Sequence, residues 1–353
     1  MSKEILEKTI AAIRPLDPGW RRQAQERLDQ LTKPRGSLGR LEELAAWYVA
    51  VREELFPTIN KKVVVIFAGD HGVVAEGVSA YPQEVTFQMV ANFIRGGAGI
   101  NVLARHVGAE VQVVDIGVNY DFGGMPGLLH RKVAPGTRNL AQEGAMTPEE
   151  TLAALAVGID VAQAAVAAGA DVLATGEMGI GNTTPAAALA AAFTGQTAAA
   201  VTGRGTGVDD GTYQRKIQVI DRALARHRPD PREPLAVLAN LGGLEIAGLA
   251  GLILGAAAAR RPVLVDGFIA TAAALAAVRL CPAVRDYLQA AHQSAENGHQ
   301  VMLAELGLRP LLQLDMRLGE GTGAALGLSL LEAGLKIYRE MATFAEAGVS
   351  DKE

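Results

Sequence analysis

The chain has 353 residues, of which 49% are hydrophobic and 20% charged, and its formal net charge is -5. This length and hydrophobic content predict an ordered globular protein with more than one structural unit. The modest negative charge, without a cluster of lysines and arginines, excludes the electrostatic signature of binding to nucleic acid or to an anionic membrane, so small molecules are the expected partners.

Cysteine usage and the opening residues predict a cytoplasmic protein. Cys281 is the only cysteine, so no intrachain disulfide can form, and the first residues do not have the pattern of a signal peptide. We expect Cys281 to be a small core residue rather than a nucleophile, because nothing nearby would stabilise a thiolate. The apolar run 246–259 is too short to span a bilayer, and the uncharged stretch 178–203 is broken by polar residues and a proline.

Amphipathic patterns predict helices at both ends of the chain. They cover residues 20–31 and 38–54 near the start, and 284–298 and 325–344 near the end. We expect residues 1–60 and 283–353 to form a smaller helical domain from both chain ends.

Between these ends, short apolar runs alternate with helical patterns. The predicted strands are residues 63–67, 111–115, 171–175, 198–202, 235–239 and 262–266. Near-continuous apolar runs are typical of strands buried on both faces, and the alternation favours right-handed βαβ units. The sequence therefore predicts a doubly wound α/β domain over residues 61–282, with a mostly parallel sheet of about six strands and the substrate cleft.

A glycine-rich loop predicts a phosphate site, since open α/β sheets bind ligands where their strands end. Residues 175–185 read TGEMGIGNTTP and join a predicted strand to a helix. Thr184 can cap that helix and Pro185 suits its first turn, while Gly179 and Gly181 expose backbone N–H groups. These features indicate an anion site at a helix N-terminus. The alternative is a turn that merely requires glycine.

A second glycine-rich loop covers residues 202–210 and leads into a helix that carries Lys216. It lacks the spacing of both the dinucleotide fingerprint and the P-loop. A phosphate is a candidate ligand here, but neither NAD nor ATP is indicated.

Glu320 lies between glycines, directly before a helix predicted to begin near residue 324. Glycine neighbours allow a ligand to approach closely, so Glu320 is a candidate general base. Its alternative role is that of an acid at a helix start, which complements the helix dipole without chemistry.

Polar residues at other predicted strand ends are candidates for the cleft wall. Asp70 and His71 follow the first strand, but adjacent residues seldom point at one ion and a third ligand does not follow at metal spacing. We therefore predict a structural hydrogen-bond network there and no metal. Asp266, at the end of another strand, and the polar segment 294–299 are expected to line the cleft.

Six motifs in one fixed order closely resemble the nicotinate-nucleotide:5,6-dimethylbenzimidazole phosphoribosyltransferases, the bacterial enzymes of cobalamin lower-ligand assembly. They are KPRGSLG at 33–39, AGDHG at 68–72, GEMGIGNTT at 176–184, GRGTG at 203–207, VDGF at 265–268 and RLGEG at 317–321. The resemblance runs from about residue 30 to residue 335, and the first thirty residues carry no matching motif.

The resemblance implies transfer of ribose 5-phosphate from nicotinate mononucleotide to a benzimidazole nitrogen, with inversion at the anomeric carbon. It implies that Glu320 removes the benzimidazole N–H proton and that Glu177 is the second active-site carboxylate, which stabilises the oxocarbenium character of the ribose. Nicotinate leaves from a pyridinium and is neutralised at nitrogen, so a pyrophosphate-bound Mg²⁺ is not required and no cofactor is expected.

The resemblance also implies which residues bind the substrates. Those expected to hold phosphate and ribose are Gly179, Gly181, Asn182, Thr183, Thr184, Gly203, Arg204, Gly205 and Lys216. Asp266 is expected to bind substrate as part of the cleft. Those expected to wall the flat apolar base are Ser79, Tyr81, Gln88 and Met178. Variation expected near Tyr81 and Met178 leaves the preferred aromatic base open.

Two other classes of function remain as alternatives. One is a non-catalytic nucleotide-binding or sensor module on the same sheet architecture, because fold alone does not fix function. The other is a sugar or nucleoside kinase, hinted at by residues 68–70 but without the Walker spacing. The alanine- and glycine-rich helix faces favour a homodimer.

Overall fold

The computed structural model describes residues 1–205 and 207–350. Its strands are β1 (Lys62–Gly69), β2 (Ala109–Gly117), β3 (Leu128–His130), β4 (Val172–Met178), β5 (Val263–Val265) and β6 (Leu288–Ala290). Its helices are α1 (Ser2–Ala12), α2 (Pro18–Gln30), α3 (Arg40–Arg52), α4 (Val85–Arg95), α5 (Gly99–Val107), α6 (Pro148–Ala167), α7 (Thr183–Thr194), α8 (Ala198–Val201), α9 (Asp210–His227), α10 (Pro234–Leu241), α11 (Leu244–Ala258), α12 (Phe268–Leu280), α13 (Asn297–Leu306), α14 (Thr322–Glu340) and α15 (Phe344–Ala347). Short 3₁₀ helices cover Gly72–Glu76 and Pro282–Tyr287.

The described strands form one sheet in the order β3-β2-β1-β4-β5-β6, and each neighbouring pair is parallel. β1 and β4 lie at its centre, where Val63 pairs with Leu173. Every residue of β1 is buried, which requires cover on both faces of the sheet, and α11 and α14 both pack against β1 and β4. The predicted α/β fold with a parallel sheet is confirmed.

Two predicted strands are wrong, because they fall on helices. Residues 198–202 lie largely on α8 and residues 235–239 lie within α10. The Thr197 side chain caps α8 by accepting a hydrogen bond from the Ala200 N–H, and Pro234 occupies the first turn of α10. These helix-start signals, with alanine and leucine in the helix, outweigh the apolar runs.

The predicted helix at residues 284–298 is also wrong. A 3₁₀ helix, β6 and a polar loop replace it, and α13 begins only at Asn297. Val263 of β5 pairs with Leu288 of β6, so pairing between distant segments overrides the local pattern. β6 therefore adds part of the segment 283–353 to the sheet. The division of the chain into two domains stays a prediction.

The predicted helices near residues 20–31, 38–54 and 325–344 correspond to α2, α3 and α14. α3 packs against both α2 and α14, and Leu31 bridges to Thr343 in the antiparallel sense. α1 packs instead on α6 and α11. The two ends of the chain thus meet beside the sheet.

Among the helices that the structure describes, α6 has the length and mean hydropathy that a membrane span requires, and 50% of its most apolar window is buried in the fold. It packs closely on α11, where a side chain at Gly158 would collide with the Gly248 carbonyl oxygen. α11, which contains most of the apolar run 246–259, is itself almost wholly buried. Cys281 is buried at the end of α12, as predicted.

Candidate active site

A cleft of about 410 Å³ opens where β4, β5 and β6 end, the edge at which open parallel sheets bind ligands. Residues predicted from the sequence that line it are Tyr81, Glu177, Met178, Gly179, Asn182, Thr183, Gly205, Asp266 and Glu320. The structure therefore brings residues from four separate motifs, together with Tyr81, into one space.

Glu177 lies near the end of β4 and is buried. Its carboxyl group accepts a hydrogen bond from the Asn182 side-chain amide. Burial raises the pKa of Glu177 to about 8, and the negative charge of Asp266 contributes to the rise. The backbone of Gly319 approaches so closely that a side chain there would collide with the Glu177 carboxyl group. Glu177 therefore carries a proton at neutral pH in the free protein.

Glu320 lies in the loop before α14, and its side chain lines the same cleft. Its backbone is left-handed, with φ of 63°, between Gly319 at 85° and Gly321 at 95°. The carboxylate is buried, and its Oε2 accepts a hydrogen bond from the Ile100 N–H at 3.1 Å. Burial raises the pKa of Glu320, and the Ile100 hydrogen bond opposes the rise. This is the environment of a base whose pKa is shifted toward neutrality.

Asp266 fixes the loop that carries Glu320. Its Oδ2 accepts a hydrogen bond from the Gly321 N–H at 3.2 Å, and its Oδ1 accepts one from the Ala324 N–H at 2.8 Å. Burial raises the pKa of Asp266, and His292, 3.7 Å from Oδ1, opposes the rise. Asp266 thus caps the first turn of α14 and also lines the cleft, where its contact with substrate stays a prediction.

The loop after β4 turns into α7, which begins at Thr183 after Asn182. The expectation that Thr184 caps this helix is wrong, because Thr184 is the second residue of the helix and its side chain is buried. A side chain at Gly179 would collide with the Gly69 carbonyl oxygen at 2.5 Å, and Gly181 has a left-handed φ of 87°. The turn therefore favours glycine at 181, and the close approach of β1 requires it at 179. The anion site at this helix end stays a prediction.

Lys216 lies behind both glycine-rich loops. Its buried Nζ donates hydrogen bonds to Thr183 Oγ1 at 2.9 Å and to the Gly203 carbonyl oxygen at 3.2 Å. Burial lowers the pKa of Lys216 to about 8, and the charge of Glu296 opposes the change. The lysine links the second loop to the start of α7, so both loops share one positive charge.

The second loop directs its arginine away from this lysine. Arg204 is exposed, forms an ion pair with Asp210 and lies over the Tyr213 ring, with Cζ 5.3 Å from the ring centroid. Arg317, from the loop before α14, lines the cleft instead and donates a hydrogen bond to the Gly205 carbonyl oxygen at 3.1 Å. Thr206, part of the same motif, lies outside the described residues.

An apolar wall closes the other side of the cleft. Val85 and Met89 lie one helical turn apart on α4, and both line the cleft with Tyr81 and Met178. Gln88 is exposed on a neighbouring face of α4, so the structure puts Met89 at the wall where the sequence predicted Gln88. Residues predicted for the site that do not line the cleft in the described part of the chain are Ser79, Gln88, Gly181, Thr184, Gly203, Arg204 and Lys216.

Asp70 and His71 belong to a buried hydrogen-bond network beside the cleft. Asp70 Oδ2 accepts a hydrogen bond from the Asn119 N–H at 2.8 Å, while His71 Nε2 lies 2.8 Å from Glu245 Oε1. Burial would lower the pKa of His71, but the Glu245 carboxylate outweighs it and the pKa is raised. Residues 1–205 and 207–350 contain no cluster of three or more His, Cys, Asp or Glu side chains suited to a metal ion.

The sequence did not single out two polar residues of this region, Glu245 and His292, and it named Arg317 only as part of a motif. The segment 294–299 was expected to line the cleft, and Glu296 does so. Glu245 gave no signal, because it sits in a continuous apolar helix 174 residues from its partner His71.

Fold and cleft together define an α/β enzyme with four buried carboxyl groups, two glycine-rich loops and an apolar wall. A family model described as phosphoribosyltransferase matches residues 13–349, and the chain belongs to this family.

Two curated relatives have the name nicotinate-nucleotide--dimethylbenzimidazole phosphoribosyltransferase. The one from Geobacter metallireducens is 60% identical over 345 residues, which cover 98% of each chain. The one from Geobacter sulfurreducens is 61% identical over 347 residues, which cover 98% of this chain and 99% of the relative.

Two solved structures are similar to this chain over nearly its full length. The crystal structure of CobT from Thermus thermophilus superposes with a TM-score of 0.92 at 53% identity, over 95% of this chain and 100% of that one. A second crystal structure, of the nicotinate-nucleotide-dimethylbenzimidazole phosphoribosyltransferase from the same organism, has a TM-score of 0.91 at 52% identity, over 96% of this chain and 100% of that one.

Proposed function

We propose that this protein transfers ribose 5-phosphate from nicotinate mononucleotide to 5,6-dimethylbenzimidazole and releases nicotinate and α-ribazole 5'-phosphate. The observation that carries the proposal is the placement of two buried carboxyl groups, Glu320 and Glu177, in one cleft with an apolar wall and glycine-rich loops. The names of relatives 60% and 61% identical to this chain support the choice of substrates.

The transfer breaks one bond at the anomeric carbon and forms another. The bond to the pyridinium nitrogen breaks, and its electron pair returns to that nitrogen, so nicotinate leaves with a neutral ring. The lone pair of the unprotonated benzimidazole nitrogen attacks from the opposite face, which converts a β-nucleotide into an α-riboside. The proton on the other ring nitrogen must then leave, since the product would otherwise be a cation.

Glu320 is the proposed acceptor of that proton. One of its oxygens is occupied by the Ile100 N–H, which leaves the other for the substrate. Because burial raises the pKa of Glu320, its basicity is better matched to proton transfer near neutral pH. Positioned bases of this kind contribute about 10²–10⁴-fold to a rate.

Glu177 changes its charge during binding in this proposal. With a pKa of about 8, it is neutral in the free protein at pH 7. The positive pyridinium of nicotinate mononucleotide favours the ionised form of a nearby carboxyl group. Glu177 therefore releases its proton when the nucleotide binds, and its charge then stabilises the cationic ribose as the glycosidic bond breaks.

The glycine-rich loops and the apolar wall bind the phosphate group and the aromatic base, respectively. The glycine-rich loops, backed by Lys216, provide backbone N–H groups and a positive charge for the phosphate. Met89, Met178 and Val85 provide the flat apolar contact for the benzimidazole.

A product assay tests the proposal. The protein is incubated with nicotinate mononucleotide and 5,6-dimethylbenzimidazole, and α-ribazole 5'-phosphate is sought by mass spectrometry, with the anomeric configuration read by NMR. Binding of both compounds without riboside formation would show a non-catalytic nucleotide-binding module instead. Phosphorylation of a sugar or nucleoside by ATP and Mg²⁺ would show a kinase.

We also propose that the protein acts as a homodimer in the cytoplasm. Part of the apolar surface of α6 remains uncovered within one chain, and alanine- and glycine-rich helix faces suit a symmetric contact. Light scattering coupled to gel filtration measures the mass in solution. A monomeric mass at micromolar concentration would contradict the dimer.

A further inference from the structure

Glu296 is a buried carboxylate in a place expected to attract anions. It lies in the loop before α13, lines the cleft and is 6% exposed. Its Oε1 accepts a hydrogen bond from the Gly205 N–H at 2.9 Å. Its Oε2 is buried and accepts no hydrogen bond from the described residues. One oxygen of this carboxylate therefore needs a donor that residues 1–205 and 207–350 do not supply.

The glycine-rich loop is shaped around this carboxylate. A side chain at Gly203 would overlap Glu296 Oε2, so only glycine leaves room for it. The adjacent Gly203 carbonyl oxygen accepts a hydrogen bond from Lys216 Nζ at 3.2 Å. The loop thus holds the lysine and the carboxylate side by side but without a direct ion pair, and their two charges cancel in one buried region.

We propose that Glu296 accepts a hydrogen bond from a proton carried by the phosphate group of the substrate, so that the cleft binds its sugar phosphate in the singly charged form. This inference rests on the proposed function and names the protonation state of its ligand. The phosphate P–OH group donates to Glu296 Oε2, and its other oxygens accept from the loops and from the lysine side.

Charge balance favours this form of the ligand. A doubly charged phosphate beside Lys216 and an ionised Glu296 would leave two uncompensated negative charges in a buried site, whereas one shared proton removes one of them. Burial raises the pKa of Glu296 and Lys216 opposes the rise, which is consistent with a group that readily shares a proton.

Lys216 and Arg317 are the charged side chains that act on Glu296. Arg317, from the loop before α14, contributes a positive charge but is exposed to solvent. Nδ1 of His299, on α13, accepts a hydrogen bond from the Ser294 N–H at 2.7 Å. Burial lowers the pKa of His299 to about 3, so its ring is neutral. Of Arg317, His299 and Lys216, only Lys216 both is buried and has a pKa close to the pH of the experiment. The experiment is therefore run below the Lys216 pKa of about 8, where the lysine is charged.

Calorimetry with ribose 5-phosphate tests the inference, because this ligand lacks the pyridinium that would disturb Glu177. At pH 7 a free phosphate monoester, with a second pKa of about 6, is mostly doubly charged. Binding should therefore take up roughly one proton, measured by repeating the titration in buffers with different ionisation enthalpies. Affinity should also fall about eightfold between pH 6.5 and 7.5 as the singly charged form is depleted.

Glu296→Gln is the decisive variant. The glutamine carbonyl oxygen can still accept the Gly205 N–H, while its NH₂ group can donate a hydrogen bond to a phosphate oxygen that carries no proton. We expect proton uptake to vanish and the pH dependence to shrink to less than about twofold. The wild type should prefer inorganic phosphate over sulfate, which carries no proton at this pH, by about tenfold or more, and the variant should lose that preference. Asp221→Asn, which removes an exposed carboxylate on α9, the helix that carries Lys216, is the matched control and should behave as wild type.

Equal proton uptake in the wild type and in Glu296→Gln would overturn the inference. So would the absence of proton uptake in the wild type, or a failure of ribose 5-phosphate to bind while nucleotide turnover proceeds. Proton-coupled binding of ribose 5-phosphate without riboside formation would instead contradict the proposed transfer reaction and leave the role of Glu296 intact.

Discussion

The Glu320 carboxylate accepts a hydrogen bond from the backbone N–H of Ile100, 3.1 Å away, although 220 residues separate the two in sequence. Ile100 lies in the first turn of α5, so the positive end of a helix orients the acid that precedes α14. The bond occupies one carboxylate oxygen, and the residue lines the cleft. This arrangement holds the proposed base in position in the free protein.

Glu320→Gln tests the base directly. Glutamine keeps the shape and the hydrogen bond from Ile100 but cannot accept a proton, so kcat should fall by at least about 10² while affinity for nicotinate mononucleotide stays nearly unchanged. Because burial raises the pKa of Glu320, the ionised base is lost as pH falls through that raised value. The acid limb of the wild-type rate profile should therefore be absent in the variant.

A turnover close to wild type in Glu320→Gln would return Glu320 to the role of an acid at a helix start, and Glu177 would become the candidate base. The Glu340→Gln variant is a suitable control, because it changes an exposed glutamate at the far end of α14. Its rate and pH profile should match those of the wild type.

Lys216→Met should weaken nicotinate mononucleotide and leave nicotinic acid riboside nearly unaffected. Methionine keeps the buried volume but removes the charge and both hydrogen bonds, to Thr183 and to Gly203. In the wild type the riboside should bind at least about tenfold worse than the mononucleotide, a loss of roughly 1.4 kcal/mol. Equal calorimetric affinities for the two ligands would show that the loops do not bind phosphate.

Glu177→Gln should change the pH dependence of stability. The pKa of Glu177 is about 8 in the folded protein and its ordinary value is 4.5, so the folded state binds the proton more tightly. Stability from this group is present at low pH and is lost as pH rises through about 8. The variant should therefore have a Tm similar to the wild type near pH 5 and a higher Tm near pH 9. A wild-type advantage at the higher pH would contradict a buried, neutral Glu177.

Met89 should influence the choice of base, and its neighbour Gln88 should not. The apolar wall predicts that 5,6-dimethylbenzimidazole outcompetes adenine, since each buried methyl group contributes up to about 0.8 kcal/mol. Met89→Ala should reduce that preference, whereas Gln88→Ala, at an exposed position on the same helix, is the matched control. Competition between the two bases for one nucleotide pool measures both variants. Preferred use of adenine by the wild type would contradict the wall.

Much of the fold could be predicted because the central strands carry strong local signals. β1 and β4 are apolar throughout most of their length, and their ends coincide with glycine-rich loops. β3 and β6 each contain a polar residue, His130 and Gln289, so they lack the continuous apolar run that marks β5. They pair with the neighbouring strands β2 and β5. Short alanine-rich segments are ambiguous, so the apolar pattern predicts strands at 198–202 and 235–239 although the residues that start each segment make them helices.

The site could be predicted where its residues lie in contiguous motifs, as Glu177 and Glu320 do. It could not be predicted where a contact joins distant segments. The pair of Glu296 with Gly205 spans 91 residues, and that of His71 with Glu245 spans 174. The structure places Met89 at the cleft wall, where the sequence predicted Gln88, for a different reason. Successive residues on a helix point about 100° apart, so an error of one position moves the side chain to another face.

The left-handed backbone of Glu320 has an evolutionary consequence. A residue with a β-carbon at a φ of 63° costs about 1 kcal/mol or more relative to glycine, so every copy of this fold that keeps glutamate there accepts a less stable loop. In a lineage that no longer needed the reaction, selection for stability alone would favour glycine or asparagine at 320. The residue at this position should therefore separate working descendants of the family from relatives that keep the fold and have lost the chemistry.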